Sequence, residues 1–281
     1  MFPFQAPPIR DKEEIENILG TSRQQELSRD VNVLWVWGVD KIHDVGLHEY
    51  GWTMDRFVNT LLPLVPGVTA SQTMWFPTQE QWNTADLVVF FLQSKEAWGE
   101  KHFEQIDAFQ GRGGGLIFLH LGLLQGDGSE LAKRIGLAYG LQNAPNGTTR
   151  WGALPTPVHL APGAGQHPIM AGFPEAFHLV DELYWNLTGD TDDITTLITS
   201  PAGPEGPRET PPVPEDLDGK AWPVAWTKET ETYRSFGSVV GHNYFTFNDP
   251  YFRIVLLRAM AWTMGEPFDP FRPLVDIHME R

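Results

Sequence analysis

An α/β fold with a three-layer, doubly wound and mostly parallel sheet is what this sequence predicts, and two observations predict it. Apolar runs without alternation recur along the first half: Val31-Asn32-Val33-Leu34-Trp35-Val36-Trp37, Asp86-Leu87-Val88-Val89-Phe90-Phe91-Leu92 and Leu116-Ile117-Phe118-Leu119. Strands buried on both faces read this way, because helices cover both sides of a parallel sheet. Stretches of helical periodicity separate these runs, and strands that alternate with helices form right-handed parallel units.

The elements follow in order. Asp11 to Leu19 is a charged helix within a Pro-containing arm. The first strand, Val31 to Trp37, ends at Gly38. A helix from about Tyr50 to Leu64 carries Trp52, Met54, Phe57, Leu61 and Leu64 near helical spacing. Val68 to Phe76 is the second strand and Asp86 to Leu92 the third. A helix from Glu96 to Gln110 places Trp98, His102, Ile106 and Phe109 on one face, with His102 expected in the core. Gly115 to Leu121 is the fourth strand, and Ser129 is expected to cap a helix from Glu130 to Leu137.

The second half is less regular. Val158 to Leu160, Ile194 to Thr199, Val224 to Trp226 and Phe236 to Gly241 read as strands, including an antiparallel edge. Asp181-Glu182-Leu183-Tyr184-Trp185 reads as an edge strand that could instead line a sugar site. Residues 201 to 219 form a Pro- and Gly-rich loop, a candidate lid. Tyr251 to Met264 is a closing helix, with Asp249-Pro250 suited to its start.

Composition excludes several classes of function. The net charge of -16 over 281 residues argues against nucleic acid, anionic membranes and polyanionic substrates. No run of 18 apolar residues and no secretory signal pattern is present, so a cytoplasmic protein is expected. The chain holds no cysteine, which excludes disulfides, thiolate metal sites and a cysteine nucleophile. Eleven tryptophans are many for a core of this size, and Trp37, Trp52, Trp75, Trp82, Trp98, Trp151 and Trp185 stand in polar contexts. Their flat faces suit sugar rings, although packing accounts for most of them.

His120 is the most informative residue. It ends the Leu116–Leu119 run and so arrives at the carboxyl edge of the sheet, where ligands of such folds bind. Four turns are expected at the same crevice. They are Gly38 to Glu49, with Asp40, His43, Asp44, His48 and Glu49; Gln93-Ser94; His120; and Gly241-His242-Asn243. Convergence of His48, Glu49, His120 and His242 suits a divalent metal of the zinc or iron type. It suits metal-free acid/base work equally, and a structural role for these histidines stays open. No HExxH motif, no phosphate loop between strand and helix, and no G-x-S-x-G elbow occurs.

A resemblance adds to this reading. Gly38 with His48-Glu49, Ala85-Asp86-Leu87-Val88-Val89, and Arg112-Gly113-Gly114-Gly115-Leu116 running into His120 resemble the ThuA-like (trehalose utilisation) family. Gly165-Gln166-His167-Pro168-Ile169 with Gly172, Asp181-Glu182-Leu183-Tyr184, and Pro223-Val224-Ala225-Trp226 continue it. So do Phe236 to Asn243, Phe247 to Arg253, and Arg258-Ala259-Met260-Ala261-Trp262.

The resemblance implies a flavodoxin-like sheet of the class I glutamine amidotransferase type. In those relatives a cysteine sits at the elbow after a central strand, and here His120 or a neighbour takes that place. It also implies a role in breakdown of trehalose or a related glycoside or keto-sugar, with a sugar dehydrogenase as a possible partner. On this basis residues 1–29 are an N-terminal extension, 30–265 a single domain and 266–281 a tail. His48, Glu49, His120 and His242 are the candidate catalytic residues. Trp37, Asp40, Gln93, Tyr184 and Asn243 are the candidate sugar contacts, and His48, His120 and His242 are candidate ligands of a divalent metal such as zinc. A homo-oligomer is possible. The alternative is a non-catalytic carbohydrate-binding or regulatory subunit on the same scaffold.

Overall fold

The computed structural model describes residues 7–141, 143–201 and 220–277, with backbone alone at 153–156. Among these residues nine strands form one sheet in the order β2-β1-β3-β4-β11-β10-β9-β6-β7. β1 (Val31–Trp37), β2 (Val68–Met74), β3 (Leu87–Phe91), β4 (Gly115–Leu119) and β11 (Arg234–Ser238) run parallel. This is the 2-1-3-4 flavodoxin-like order, with the fifth place taken by the last strand of the chain. All five residues of β3 and all five of β4 are buried, as expected for strands covered on both faces.

Alternation along β3 assigns those faces. Phe90 stacks on Phe118 at 4.5 Å on one side, beneath Trp82 of α3 (Gln79–Thr84). Phe91 points the other way, to Tyr50 of α2 (Tyr50–Asp55) and to Phe247. α2 continues through π and 3-10 turns to Leu64, so the chain is helical over the whole stretch expected from Tyr50 to Leu64.

The antiparallel part is broader than an edge. β10 (Ala221–Glu229), β9 (Thr195–Pro201), β6 (Arg150–Leu160) and β7 (Ala176–Trp185) extend the sheet by four strands. β6 starts eight residues before the expected Val158 (150 against 158). It holds Pro155 and Pro157, which disfavour an interior strand, but over that stretch β6 has a partner only on its β7 side. A one-sided strand tolerates a missing N–H. Phe177 and Leu179 of β7 face a small apolar space shared with Ala225 of β10 and Val255 of α6 (Pro250–Met264). The far end of the sheet thus curls back over its middle, and that curl brings the end of β7 to the carboxyl edge of β4.

Two smaller expectations are corrected. α4 (Glu100–Gly111) begins after Gly99, whose N–H is held by Nδ1 of His102 at 3.1 Å. His102 is therefore half-buried at a helix start, not within the core. In α5 (Ser129–Ile135), Gly128 with φ 84° stands at the cap and Ser129 is already helical. Of the lid candidate 201–219, Pro201 ends β9 and residues 202–219 lie outside the described residues.

The outer segments pack onto the domain. Arg10 meets Asp249, the cap of α6, at 2.6 Å. Arg258 of α6 donates to the Ile18 carbonyl of α1 (Lys12–Leu19) at 2.6 Å. Among the described residues, no helix is long and apolar enough to cross a membrane.

Candidate functional site: a buried histidine cluster

Three loop ends and one strand end supply the site. His48 comes from the loop after β1, His120 follows β4 directly, and His242 lies four residues past β11. His48 (φ 49°) and His120 (φ 51°) both adopt the left-handed conformation. This is uncommon for a residue with a side chain and held only where surrounding structure enforces it. For His48 the enforcement is visible: its N–H donates to the His242 carbonyl at 2.8 Å, and Tyr244 N–H donates to Gly46 at 2.9 Å. The two histidine loops are clipped together by their backbones.

The rings converge. His48 Nε2 lies 2.9 Å from His120 Nε2 and 2.9 Å from His242 Nδ1. Glu182 Oε2 of β7 stands 3.5 Å from His120 Nε2 and 3.6 Å from His242 Nδ1. Tyr184, two residues on and therefore on the same face of β7, places its hydroxyl 2.9 Å from His120 Nε2 and stacks its ring on the imidazole. The four side chains of His48, His120, Glu182 and His242 are buried, and their nearest ligand atoms all lie within 4.8 Å of one another.

Outer contacts orient the rings. His120 Nδ1 is 2.8 Å from the carbonyl of Val239, and His48 Nδ1 is 3.0 Å from Asp40 Oδ2. A carbonyl only accepts, so Nδ1 of His120 carries the proton. Asp40 also accepts from Ile42 N–H and from Nδ1 of His43. Burial would raise its carboxyl, but the Ile42 amide and the two histidines hold it below its ordinary range. It is therefore a carboxylate, and Nδ1 of His48 also carries the proton.

Burial governs the electrostatics. His120 is pushed well below the ordinary imidazole range by burial and then by His48 and His242. Burial and His43 lower His48 to about 4, against an opposing pull from Asp40, and burial with His48 lowers His242 to about 3. The rings are neutral at physiological pH. Glu182 is raised to about 8 by burial and by Asp181. Asp181 is itself raised by burial to about 6, and its Oδ1 accepts from the N–H groups of Gly241 and His242.

The structure therefore brings together His48, His120 and His242, with Asp40 and Tyr184 in contact with them. Glu49 goes elsewhere: its Oε1 accepts from Gly46 N–H at 2.9 Å. The carboxylate in the cluster is Glu182. Asn243 turns its amide to the Val180 carbonyl, and Trp37 donates its Nε1 to Gln72 of β2. Gln93, half-buried after β3, takes no part in the cluster's hydrogen bonds. Trp82 and Trp185 are buried, which removes them as sugar platforms. The signal for Glu182 was the acidic-aromatic alternation of Asp181 to Trp185, which places Glu182 and Tyr184 on one face of a strand.

Comparison with known proteins follows the same line. A family model described as trehalose utilisation (ThuA) matches residues 64–263. A ThuA-like protein of Parabacteroides merdae superposes with a TM-score of 0.61 at 17% identity, over 84% of this chain and 90% of that one. A ThuA-like protein of Bacteroides uniformis gives 0.60 at 14% identity, over 87% and 95%. At these identities the likeness is one of fold. No curated protein matches the chain in sequence.

Proposed function

This chain belongs to the ThuA (trehalose utilisation) family, and from that premise we propose that it processes a neutral glycoside or keto-sugar of the trehalose type at the histidine cluster. One observation carries the reading: three neutral imidazoles from three separate loops meet a carboxyl group and a phenol in a buried place. Packing alone gives no reason to bury so many polar groups, since each carries a desolvation cost. Chemistry at a carbon bearing a hydroxyl or carbonyl gives one. Neutral imidazoles accept protons, and the phenol of Tyr184, raised by burial and by Glu182, keeps its proton to donate. The net charge of -16 suits a neutral substrate. A dehydrogenase that supplies the keto-sugar is the partner this reading calls for.

Calorimetry and turnover assays with trehalose, glucosides and their 3-keto forms test it. The native chain is expected to convert at least one of them, and His120→Ala to lose conversion while keeping its circular dichroism spectrum. Equal affinity and turnover in native and His120→Ala protein would refute it. A second reading, a sugar-binding subunit without turnover, is favoured by the missing thiol: a histidine stands after β4, and the chain contains no cysteine at all. Binding without conversion of any of these sugars selects that reading.

A further inference from the structure

We propose that His48 Nε2, His120 Nε2, His242 Nδ1 and Glu182 Oε2 are the ligands of one divalent transition-metal ion. The inference deepens the preceding reading and rests on this cluster being the functional centre.

Lone-pair geometry is the first argument. His120 gives its Nδ1 proton to a carbonyl and His48 its Nδ1 proton to a carboxylate. Each neutral ring therefore presents a bare Nε2, and these two atoms are 2.9 Å apart. Each Nε2 has a single lone pair, which the Tyr184 hydroxyl and a His242 Nδ1–H can cover only while no ion is bound; an ion takes these lone pairs and leaves the Tyr184 hydroxyl to its other partner, Glu182. Two acceptors repel unless a cation lies between them. A shared proton would make one ring an imidazolium in a site where all three rings are buried. A metal ion bridges both nitrogens without protonating either.

Spacing is the second argument. Four donors in a tetrahedron at about 2.1 Å from a common ion lie roughly 3.4 Å from one another. Four of the six separations here, 2.9, 2.9, 3.5 and 3.6 Å, bracket that value, and all six lie within 4.8 Å.

The surroundings are the third. Ligating histidines hand their other ring N–H to a carboxylate or a backbone carbonyl, which fixes the tautomer and the ring plane. Asp40 does this for His48 and Val239 for His120. Glu182 adds a buried carboxyl group to the same pocket, and a bound cation is the partner that would let it ionise there.

The donor set also selects the ion. Three imidazoles and one carboxylate suit zinc, iron, cobalt or manganese, whereas calcium and magnesium prefer oxygen ligands throughout. A second group, Asp40, His43 and His48, also gathers ligand atoms, but His43 is exposed and Nδ1 of His48 there carries a proton.

Elemental mass spectrometry on untagged full-length protein, stripped with chelator and dialysed against zinc, cobalt or manganese, is the test. About one ion per chain is expected, with at least a tenfold loss in His120→Ala and a clear loss in Glu182→Gln. Visible cobalt bands should appear in the native chain, and His43→Ala should retain the ion. Should His120→Ala not fold, His242→Ala, Glu182→Gln and the cobalt titration of native protein decide the matter. Less than about a tenth of an ion per chain after reconstitution overturns the proposal. So does an ion kept by His120→Ala and lost by His43→Ala, which places it at the outer group. Metal bound without sugar turnover leaves this proposal standing and removes the sugar reading. Sugar turnover by protein free of metal does the reverse.

Discussion

Oδ2 of Asp40 stands 3.0 Å from Nδ1 of His48 and 2.6 Å from Nδ1 of His43, so one carboxylate oxygen fixes the tautomer of a buried imidazole and holds an exposed one beside it. The inner contact aims His48 Nε2 at the cluster. Asp40→Ala removes that acceptor and frees the ring to take the other tautomer. The expected result is a loss of roughly 10- to 100-fold in sugar turnover or metal affinity, the usual cost of losing an orienting partner. Steady-state kinetics and metal titration check it, with an unchanged circular dichroism spectrum as the control. Native-like values in both would remove the orienting role.

Tyr184 meets His120 twice, through the 2.9 Å hydroxyl contact and through ring stacking with centroids 4.8 Å apart. Tyr184→Phe keeps the stack and deletes the proton donor. Turnover is expected to fall by about 100-fold, within the usual range for a positioned acid. Stability should change by only about 1 kcal/mol, the net worth of one hydrogen bond. Denaturant unfolding beside kinetics separates the two. A variant with full activity shows the phenol to be mere packing.

His120 and His242 were legible because each stands near the carboxyl end of a run that reads as a strand, and His48 because the turn after the first strand opens at the same edge. Glu182 was not. Its strand reads as an edge element, and β7 is the last strand of the sheet, but only the curl of the β6–β7 hairpin, a long-range feature, brings it to the histidines. Glu49 looked the better carboxylate because it adjoins His48. A left-handed His48 sends the next residue back to the Gly46 amide instead. The parallel half of the sheet was legible because its strands are apolar throughout. β6 was not, because its prolines mimic a loop and are tolerated only on its unpartnered side.

Glu182 gives the molecule a defined pH response when no metal is bound. Its proton is held more tightly in the fold, at about 8, than at the ordinary 4.5, because burial and Asp181 disfavour the charge. Protonation therefore favours the folded state. The contribution is complete below about pH 4.5 and is lost as pH rises through about 8. Asp181 acts in the same direction, with its contribution complete below about 3.8 and lost through about 6. Below about pH 6.5 the lowered imidazoles of His48, His120 and His242 act the other way, so chelator-treated native protein should lose stability from about pH 7 to pH 8.5, and Glu182→Gln should lose less across that interval. Thermal melts at stepped pH in chelator measure this. Parallel slopes for the two proteins would sink it.

Arg258 ties the N-terminal helix to the domain. Its guanidinium donates to the carbonyls of Ile18 at 2.6 Å, Ala171 at 2.7 Å and Ile169 at 3.2 Å. Arg258→Ala strands three acceptors at once, and a hydrogen bond to a charged group contributes about 1.5 to 3 kcal/mol net of its exchange with water. A loss of roughly 3 kcal/mol is expected, with faster proteolytic cutting near Ile18 than elsewhere. Chemical denaturation and limited proteolysis read both. Unchanged cutting near Ile18 would mean that the helix is held by its apolar face instead.

Gly241 lies where the loop carrying His242 passes against His120. With φ at 141° it occupies a region that side chains rarely adopt. A Cβ there would lie 3.0 Å from the Phe91 ring and 3.1 Å from His120 Cβ. Gly241→Ala thus adds backbone strain of about 1 to 3 kcal/mol to a contact that only a shift of His120 or of the loop relieves. Either shift moves a ring by several tenths of an ångström, in a cluster whose nitrogens are 2.9 Å apart. Turnover and metal affinity should therefore fall more than the loss of stability explains. The comparison to make is between this variant and Arg258→Ala, which lies outside the cluster. Matched by denaturant midpoint, Gly241→Ala should be the poorer binder of metal and sugar. Equal binding at equal stability would show that the loop absorbs the methyl group without disturbing His120 or His242.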